Sequence, residues 1–258
     1  MMNHPLIDIR NMTVTLGHRT ILSDATLSIP KGTFTAIIGP NGSGKSTFLK
    51  ALCGLIPLKK GTISIKGNDI STYTRREMAQ MMAFVSQRHE FPPDVTALDI
   101  VKMGRFPYRR RFSSPSKDDK KAVARALRIL NMEGLTERPV QLLSGGEQQR
   151  AFLAMALSQE TEIILLDEPT TYLDISYQRE ILSVMDRLCK EENMTIVAVV
   201  HDINQALAYA TYTVVIQDGV IVAKGNTKEV ITPSMMKEVF SVSAPLEETT
   251  RGKRFILY

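Results

Sequence analysis

The chain has 258 residues, of which 43% are hydrophobic and 23% are charged. This balance is typical of a globular protein with its own core, and it excludes a disordered or fibrous chain. The formal net charge of +5 favours an anionic partner, such as a nucleotide, a nucleic acid or an acidic lipid, without choosing among them.

The two cysteines, Cys53 and Cys189, have no His or Cys nearby at the spacing of metal ligands. We interpret both as small buried hydrophobic residues in a reducing compartment. The N-terminus lacks the pattern of a signal peptide, and the apolar runs fall well short of the ~20 residues that span a bilayer. The sequence therefore predicts a cytoplasmic protein, unless a partner holds it at a membrane.

The N-terminal part predicts antiparallel strands, because apolar and polar residues alternate between turn signals. The alternating runs lie at 6–9, 12–16 and 25–29, and a further hairpin follows at 61–68. These runs predict an antiparallel β region.

Three nearly continuous apolar runs predict buried parallel strands at Thr35–Ile38, Ile163–Leu166 and Thr195–Val200. About 120 residues separate the first two, too many for one crossover helix, so an additional subdomain is expected between them. The stretch 89–159 has apolar residues at helical spacing and is assigned to this inserted lobe. A last short helix is predicted to start at Thr232–Pro233.

Together these elements predict an α/β fold with a mainly parallel core sheet, an antiparallel β subdomain and an inserted helical subdomain. We expect one domain over 1–258. Its predicted parts are a core with the antiparallel region at about 1–88 and 160–240, the helical subdomain at about 89–159, and a C-terminal tail at 241–258.

A glycine-rich loop follows the first buried strand and precedes a helical pattern. In this context the sequence GPNGSGKS indicates a P-loop, whose N–H groups and following helix N-terminus bind phosphate. Lys45 is expected to reach the β- and γ-phosphates of a nucleotide, and Ser46 to bind Mg²⁺. The core is therefore predicted to be that of a P-loop NTPase. The predicted nucleotide-binding residues of the loop are Gly39, Pro40, Asn41, Gly42, Ser43, Gly44, Lys45, Ser46 and Thr47.

The buried run 163–166 ends in Asp167-Glu168, at the sheet edge where ligands bind. Asp167 is expected to hold the hydration shell of Mg²⁺, and Glu168 to accept a hydrogen bond from the attacking water. Such a pair alone is equally often a solvated turn. The P-loop upstream favours the catalytic interpretation.

The sequence LSGGEQ, residues 143–148, opens another helical segment. Ser144, Gly145 and Gly146 at a helix start form a second anion-binding element, although an isolated motif of this kind is usually an ordinary capped helix. Two phosphate-binding elements in one chain either converge on one nucleotide or serve two chains arranged head to tail, each completing the other's site.

With these motifs the chain resembles the nucleotide-binding subunit of the ABC transporter family, from about Leu6 to Phe240. The resemblance implies an ATPase that uses ATP and Mg²⁺ and works as a head-to-tail homodimer. Each ATP would be sandwiched between the P-loop of one chain and the signature motif of the other. The signature residues are Ser144, Gly145, Gly146 and Glu147.

The resemblance also assigns roles to single residues. Gln87 matches the glutamine that touches Mg²⁺ and links the site to the membrane partner, Asp174 matches an aspartate that communicates across the dimer, and His201 matches the switch histidine at the γ-phosphate. The implied catalytic residues are Lys45, Gln87, Glu168 and His201, and the implied metal ligands are Ser46, Gln87 and Asp167.

One position departs from the family pattern. The family usually has an aromatic residue before a glycine in the first β region, and here the pair is Leu16-Gly17. Leucine offers apolar contact without ring stacking, so selectivity for adenine is less secure. His18 could substitute, although a solvated turn histidine is the alternative.

Details of the lobe and C-terminus, including Gly104–Pro107 and His201–Ala206, resemble importers of iron-siderophore, iron(III) dicitrate, haem or cobalamin. This implies permease subunits as partners, a substrate-binding protein indirectly, and a peripheral position on the cytoplasmic face of the membrane. A basic stretch in the lobe is expected near anionic headgroups or acidic permease residues, with a solvated helical face as the equal alternative. Its residues are Arg105, Arg109, Arg110, Arg111, Lys117, Lys120 and Lys121.

An ABC-type ATPase that acts on nucleic acid is the alternative function, because such proteins share these motifs and the basic charge suits them. They would need long heptad repeats between the motifs, and this sequence has none. We therefore expect no nucleic acid partner.

Overall fold

The computed structural model describes residues 5–87, 94–110, 113–171, 173–248 and 254–256. The start of the predicted helical lobe at 89–93, Arg111 of the basic stretch, and residues 249–253 and 257–258 of the predicted tail lie outside the described residues. The chain divides into two compact units, a first unit of Met1–Tyr73 with Met185–Tyr258, and a second unit of Thr74–Val184. The predicted division into core, helical subdomain and tail stays a prediction.

The described residues form strands and helices that are numbered here in chain order. The strands are β1 (Ile7–Leu16), β2 (Arg19–Ile29), β3 (Phe34–Ile38), β4 (Lys60–Ile65), β5 (Asn68–Asp69), β6 (Met82–Val85), β7 (Ile163–Leu166), β8 (Thr195–Val199), β9 (Tyr212–Gln217), β10 (Val220–Asn226), β11 (Leu246–Glu248) and β12 (Arg254–Ile256). The helices are α1 (Lys45–Leu52), α2 (Arg75–Met81), α3 (Ala97–Met103), α4 (Lys117–Ile129), α5 (Gly145–Ser158), α6 (Ile175–Glu192), α7 (Ile203–Tyr209), α8 (Thr227–Val230) and α9 (Pro233–Phe240).

The first unit contains an antiparallel sheet in the order β2-β1-β4-β5. Alternate residues of β1, such as Ile7 and Ile9, are buried because successive side chains of a strand point to opposite faces. The sequence runs 6–9 and 12–16 belong to this one strand, since a register shift after Ile9 and a left-handed Asn11 carry it through a bulge.

The same unit contains parallel strands, with β3 between β8 and β9 and parallel to both. Ile37 lies opposite Val199 on one side and Val214 on the other. All five residues of β3 and of β8 are buried, as the continuous apolar runs predict. β10 pairs antiparallel with β9.

The second unit contains the parallel pair β6 and β7, in which Val85 lies opposite Leu166. Within this unit α5 packs against both α3 and α4. The predicted α/β fold with a parallel core, an antiparallel region and a helical insertion is thus confirmed. Among the described helices, none combines the length and the apolar character that a membrane crossing needs.

The cysteines differ in exposure. Cys189 is buried, as expected, whereas Cys53 is only half-buried because it lies just after the end of α1. Burial raises the pKa of the Cys53 thiol to about 11 and that of Cys189 to about 12. Both thiols therefore keep their protons at neutral pH and are poor nucleophiles.

A buried ion-pair cluster holds the helices of the second unit together. Arg105 donates from Nε to Asp119 Oδ1 at 2.9 Å, and from Nη1 to the Ser158 carbonyl at 2.8 Å and to Glu160 at 2.9 Å. Its guanidinium also lies 4.1 Å from the centre of the Tyr108 ring. One side chain thus joins the first turn of α4 to the end of α5.

The Arg105→Ala substitution should destabilise the chain by about 3 kcal/mol, because it leaves the buried Asp119 carboxylate without its cation. Urea unfolding followed by circular dichroism measures the loss. The matched control is Arg128→Ala, which removes the exposed pair of Arg128 with Glu133 at 3.7 Å. That change should cost less than about 1 kcal/mol. Equal losses in the two variants would show that the cluster adds nothing beyond a surface pair.

Candidate functional site

The P-loop connects β3 to α1 in the first unit, and its backbone needs glycine. Gly39, Gly42 and Gly44 have φ values of 151°, 77° and 101°. A Cβ atom added at Gly39 would lie 1.9 Å from the carbonyl oxygen of Ile216, so no larger residue fits there. The loop therefore packs tightly on β9, while Asn41 and Gly42 at its tip are exposed.

Lys45 is the first residue of α1 and is only 6% exposed. Its Nζ donates to the carbonyl oxygens of Gly39 and Pro40, at 2.9 and 2.8 Å. The ammonium is therefore held inside the curve of the loop, next to the positive end of a helix. Ser46 and Thr47 follow in the first turn of α1, and both are half-buried. Positive potential is concentrated where a phosphate group would be bound.

The Ser43 hydroxyl is a second group of the loop that could donate a hydrogen bond to a phosphate. Its hydroxyl is buried, with 3% of the residue exposed, and it has no hydrogen-bond partner in the described part of the chain. A buried hydroxyl without a partner destabilises a protein by about 1–3 kcal/mol. A phosphate oxygen would accept this hydrogen bond, so the loop fits the nucleotide that its sequence predicts.

His201 lies at the same sheet edge of the first unit. Ile37 and Val199 are opposite each other in neighbouring parallel strands, and Gly39 and His201 each follow two residues later. His201 is exposed, and the next residue, Asp202, caps α7 by accepting the Asn204 N–H at 2.8 Å. The parallel register thus explains why the P-loop and His201 leave the sheet together.

Gln87, Asp167 and Glu168 lie together in the second unit, just beyond the ends of β6 and β7. Asp167 is 5% exposed, and its N–H donates to the Val85 carbonyl at 2.9 Å. The Gln87 amide donates to Glu168 Oε2, which also accepts the Thr171 hydroxyl at 3.1 Å. The Glu168 carboxylate is therefore oriented by two side chains.

Glu168 also has an unusual backbone. Its φ is 57°, in the left-handed region that is unfavourable for a residue with a long side chain. Such strain costs of order 1–3 kcal/mol and tends to occur where function requires a side chain at one particular place. Lys66 and Glu160 have similar φ values of 53° and 52°, so this conformation supports a functional role for Glu168 only together with its motif and its hydrogen bonds.

The signature motif forms the start of α5. Ser144 is its N-cap, with the Glu147 N–H donating to Ser144 Oγ at 3.3 Å and the Ser144 N–H donating to Glu147 Oε2 at 2.8 Å. The hydrogen bond from Ser144 N–H lowers the pKa of Glu147. Ser144 and Gly145 are exposed, whereas Gly146 is buried. The exposed part of the motif is available to a ligand or a second chain.

Asp174 is exposed at the start of α6 and accepts the Ser176 hydroxyl at 2.7 Å and the Tyr177 N–H at 3.0 Å. These hydrogen bonds, that from Tyr177 first, lower the pKa of the carboxyl group. The carboxylate thus stays ionised while it caps the helix.

Tyr177 is a site residue that the sequence analysis missed. A Cβ atom at Gly146 would lie 2.7 Å from Cγ of the Tyr177 ring, and the Arg150 guanidinium lies 5.4 Å from the ring centre. The ring therefore packs the start of α6 onto the signature motif. No local pattern could reveal this contact, because its two sides are about 30 residues apart in sequence.

The predicted metal ligands are divided between the units, with Ser46 in the first and Gln87 and Asp167 in the second. Their hydroxyl, amide and carboxylate oxygens are the donor types that Mg²⁺ prefers. No group of three or more His, Cys, Asp or Glu arranged for a metal occurs among the described residues. The Mg²⁺ assignment stays a prediction.

The chain is similar in sequence to known ATP-binding proteins of import and transport systems. The family profile described as ABC transporter matches residues 22–171. The iron(3+)-hydroxamate import ATP-binding protein of Bacillus subtilis is 40% identical over 238 residues, 92% of this chain and 88% of that protein. The ferric enterobactin transport ATP-binding protein of Escherichia coli is 40% identical over 231 residues, 90% of this chain and 85% of that protein.

Solved structures resemble the chain as well. One described as an inward-facing conformation of an ABC transporter of metal-chelate type has a TM-score of 0.85 and 28% identity, covering 99% of this chain and 98% of that one. A dimeric ATP-binding cassette in a post-hydrolysis state, bound to ADP and Pi, has a TM-score of 0.74 and 28% identity, covering 86% of this chain and 98% of that one.

The Gly146→Ala substitution should destabilise the chain by about 1–3 kcal/mol, because the new methyl group collides with the body of the Tyr177 ring. Gly145→Ala is the matched control, since a Cβ atom there meets nothing within 4 Å. Alanine at this helical position should leave stability unchanged or raise it by about 0.5–1 kcal/mol. Urea unfolding of both variants gives the comparison, and equal stability of the two would contradict the proposed packing.

Proposed function

Since the chain belongs to the ABC transporter family, we propose that it energises the import of an iron-siderophore, or a related chelate such as haem or cobalamin, through a membrane permease. The chain is an ABC-type ATPase. Its cargo class is inferred from relatives named for the import of iron(3+)-hydroxamate, ferric enterobactin and petrobactin. The likeness to these relatives covers about nine-tenths of the chain.

Nucleotide binding is supported by one observation above all, the buried Ser43 hydroxyl beside the buried Lys45 ammonium in the P-loop. Phosphate oxygens would accept from both groups. The loop carbonyls of Gly39 and Pro40 now accept the Lys45 hydrogen bonds. A charged phosphate is a stronger acceptor than a neutral carbonyl, so binding moves Lys45 towards the nucleotide.

Hydrolysis depends on Glu168. Its carboxylate accepts a hydrogen bond from a water molecule and takes up the proton as the water oxygen bonds to the γ-phosphorus, while the bond to ADP breaks. The Gln87 amide and the Thr171 hydroxyl both donate to this carboxylate and orient it. His201 donates a hydrogen bond to a γ-phosphate oxygen.

Mg²⁺ is the proposed cofactor, and when bound it neutralises charge on the phosphate oxygens. Ser46 supplies a hydroxyl oxygen, Gln87 an amide oxygen and Asp167 a carboxylate oxygen. Gln87 would thus contact both the cofactor and Glu168, so the residue that links the site to the permease would also touch the catalytic carboxylate.

The proposed assembly is a head-to-tail homodimer bound to permease subunits at the cytoplasmic face of the membrane. The exposure of Ser144 and Gly145 supports it, because these residues could then bind the nucleotide of a second chain. Dimeric cassettes among the similar structures support it too. ATP that contacts both chains favours the closed dimer, and its hydrolysis releases that contact. A substrate-binding protein would deliver the chelate to the permease.

The Glu168→Gln substitution should lower the ATPase turnover at least about 100-fold while leaving ATP affinity within about threefold, because it removes the base but keeps the side-chain shape. Phosphate release and nucleotide titration measure the two quantities. Lys45→Ala is the contrasting variant and should weaken ATP binding itself, with Lys50→Ala at the other end of α1 as its control. Wild-type turnover in Glu168→Gln would refute the catalytic assignment.

Loss of the chain from its source cell should abolish uptake of radioactive iron, or of cobalamin, from at least one chelate among a hydroxamate, a catecholate, haem and cobalamin. The wild-type chain should restore uptake, and the Glu168→Gln chain should not, because transport needs hydrolysis. Unchanged uptake of every chelate would overturn the proposed cargo class. Salt-sensitive co-purification with nucleic acid instead of a permease would favour the alternative function.

A further inference from the structure

The C-terminal hairpin is tied to the helix that follows His201. Strands β11 and β12 pair antiparallel, with Leu246 opposite Ile256. On the edge of β12 that faces away from β11, the backbone of Ile256 forms hydrogen bonds with the side chain of Asn204 in α7. Its Nδ2 donates to the Ile256 carbonyl at 3.1 Å, and its Oδ1 accepts the Ile256 N–H at 2.7 Å. The amide thus pairs with Ile256 as a neighbouring strand would.

The hairpin is packed in place as well as hydrogen-bonded. Ile256 is 2% exposed, Asn204 is half-buried, and β12 lies against α7. Both polar groups of the Asn204 amide have backbone partners, which is what a polar side chain needs when it is removed from water. No other common side chain of this size offers a donor and an acceptor in this geometry.

Asn204 also belongs to the turn that carries His201. Its backbone N–H donates to Asp202, the N-cap of α7, at 2.8 Å. The same residue thus joins the cap of α7 through its backbone and the C-terminal hairpin through its side chain. His201 immediately precedes this cap.

Helix α7 has seven residues and cannot fix its own position. A helix this short is held by its surroundings, here by the buried Ile203, Ala206 and Leu207 on one face and by β12 at its first turn. Because the polypeptide runs from β8 through His201 directly into this turn, a shift of the first turn of α7 also shifts His201.

We propose that Asn204 is a positioning residue, which uses the C-terminal hairpin to hold His201 at the sheet edge beside the P-loop. The pair formed by Asn204 and Ile256 is called the clasp below. The inference rests on the proposed role of His201 at the γ-phosphate. It makes the hairpin part of the catalytic apparatus and predicts that the ATPase depends on residues far from the phosphate-binding motifs.

The Asn204→Ala substitution in the full chain should lower kcat for ATP hydrolysis about tenfold and leave the KM for ATP within about twofold, since the P-loop is untouched while His201 is misplaced. Hydrogen exchange of the Ile256 amide should become faster, because its acceptor is gone. Steady-state phosphate release and exchange followed by mass spectrometry or NMR measure these effects.

The matched control is Asn226→Ala. Asn226 is an exposed cap in the same unit, whose side chain accepts the Lys228 N–H at 3.0 Å. This variant loses a hydrogen bond between a side chain and the backbone without touching the clasp, so it should keep the wild-type kcat. An equal loss of kcat in Asn226→Ala would show a general effect of stability and overturn the inference.

The Ile256→Ala substitution leaves α7 intact and keeps the backbone groups that pair with Asn204, but it removes the buried side chain that packs the hairpin in place. It should lower kcat with unchanged KM as Asn204→Ala does, and the double variant should be no more than about twofold slower than the slower single variant, because both changes break one unit. Fully additive losses would overturn the inference. If Asn204→Ala proves too unstable to assay, this variant carries the test alone.

The two variants Asn204→Ala and Glu168→Gln distinguish a failure of this inference from a failure of the proposed function. If Glu168→Gln loses turnover but Asn204→Ala keeps the wild-type kcat while Ile256 exchanges faster, the clasp has no catalytic role and the proposed function stands. If Glu168→Gln keeps its turnover, the proposed function fails whatever Asn204 does.

Discussion

The site depends on one constraint, the in-register pairing of parallel strands within each unit. β3 with β8 brings Gly39 and His201 to one edge, and β6 with β7 does the same for Gln87 and Glu168. Parallel strands all present their carboxyl ends at the same edge, where the loops that follow them meet. Because β3 and β8 are buried on both faces, a slip of one residue would exchange their side chains between two packed faces, so packing on both faces fixes which functional residues meet.

Three energetically unfavourable features occur in the loops that follow these strands. Ser43 has a buried hydroxyl without a partner in the described structure, Lys45 has a buried ammonium next to the positive end of a helix, and Glu168 has a left-handed backbone. Each would cost free energy in a protein selected for stability alone. Ser43 and Lys45 lie in the same loop, where an anionic phosphate can satisfy both groups and offset their cost.

The site motifs could be predicted from the sequence because the residues of each motif are close together along the chain. The P-loop glycines, the carboxylates after β7 and the cap at Ser144 are each local, and the continuous burial of β3, β7 and β8 follows from their apolar sequences. The short strand β6 and the edge pair β9 and β10 were not predicted, although the apolar run in β9 was a usable signal.

The sequence analysis did not foresee several tertiary contacts, and its assignment of Arg105 to an exposed basic stretch was wrong because that side chain is buried. Arg105 reaches residues 14 to 55 positions away, and Asn204 reaches Ile256, 52 positions away. Tyr177 packs against Gly146, which the sequence alone suggests to be an exposed residue at the N-terminus of a helix. A polar or aromatic side chain carries no local sign of its partner, so such contacts need a structure or an alignment to reveal them.

The two helix N-termini that the sequence predicts as anion sites differ in strength. The first turn of α1 has no acidic residue and begins with Lys45, whereas the first turn of α5 contains Glu147, whose carboxylate already faces its own N-terminal N–H groups. A negative charge there reduces the attraction for phosphate. The Ser144 hydroxyl accepts the Glu147 N–H and can still donate to a phosphate oxygen, because a hydroxyl both donates and accepts. In the proposed dimer, α1 would thus hold the nucleotide firmly and α5 of the second chain only weakly. A weak second contact suits reversible closure, because the two chains would then separate once hydrolysis has removed the phosphate contact between them.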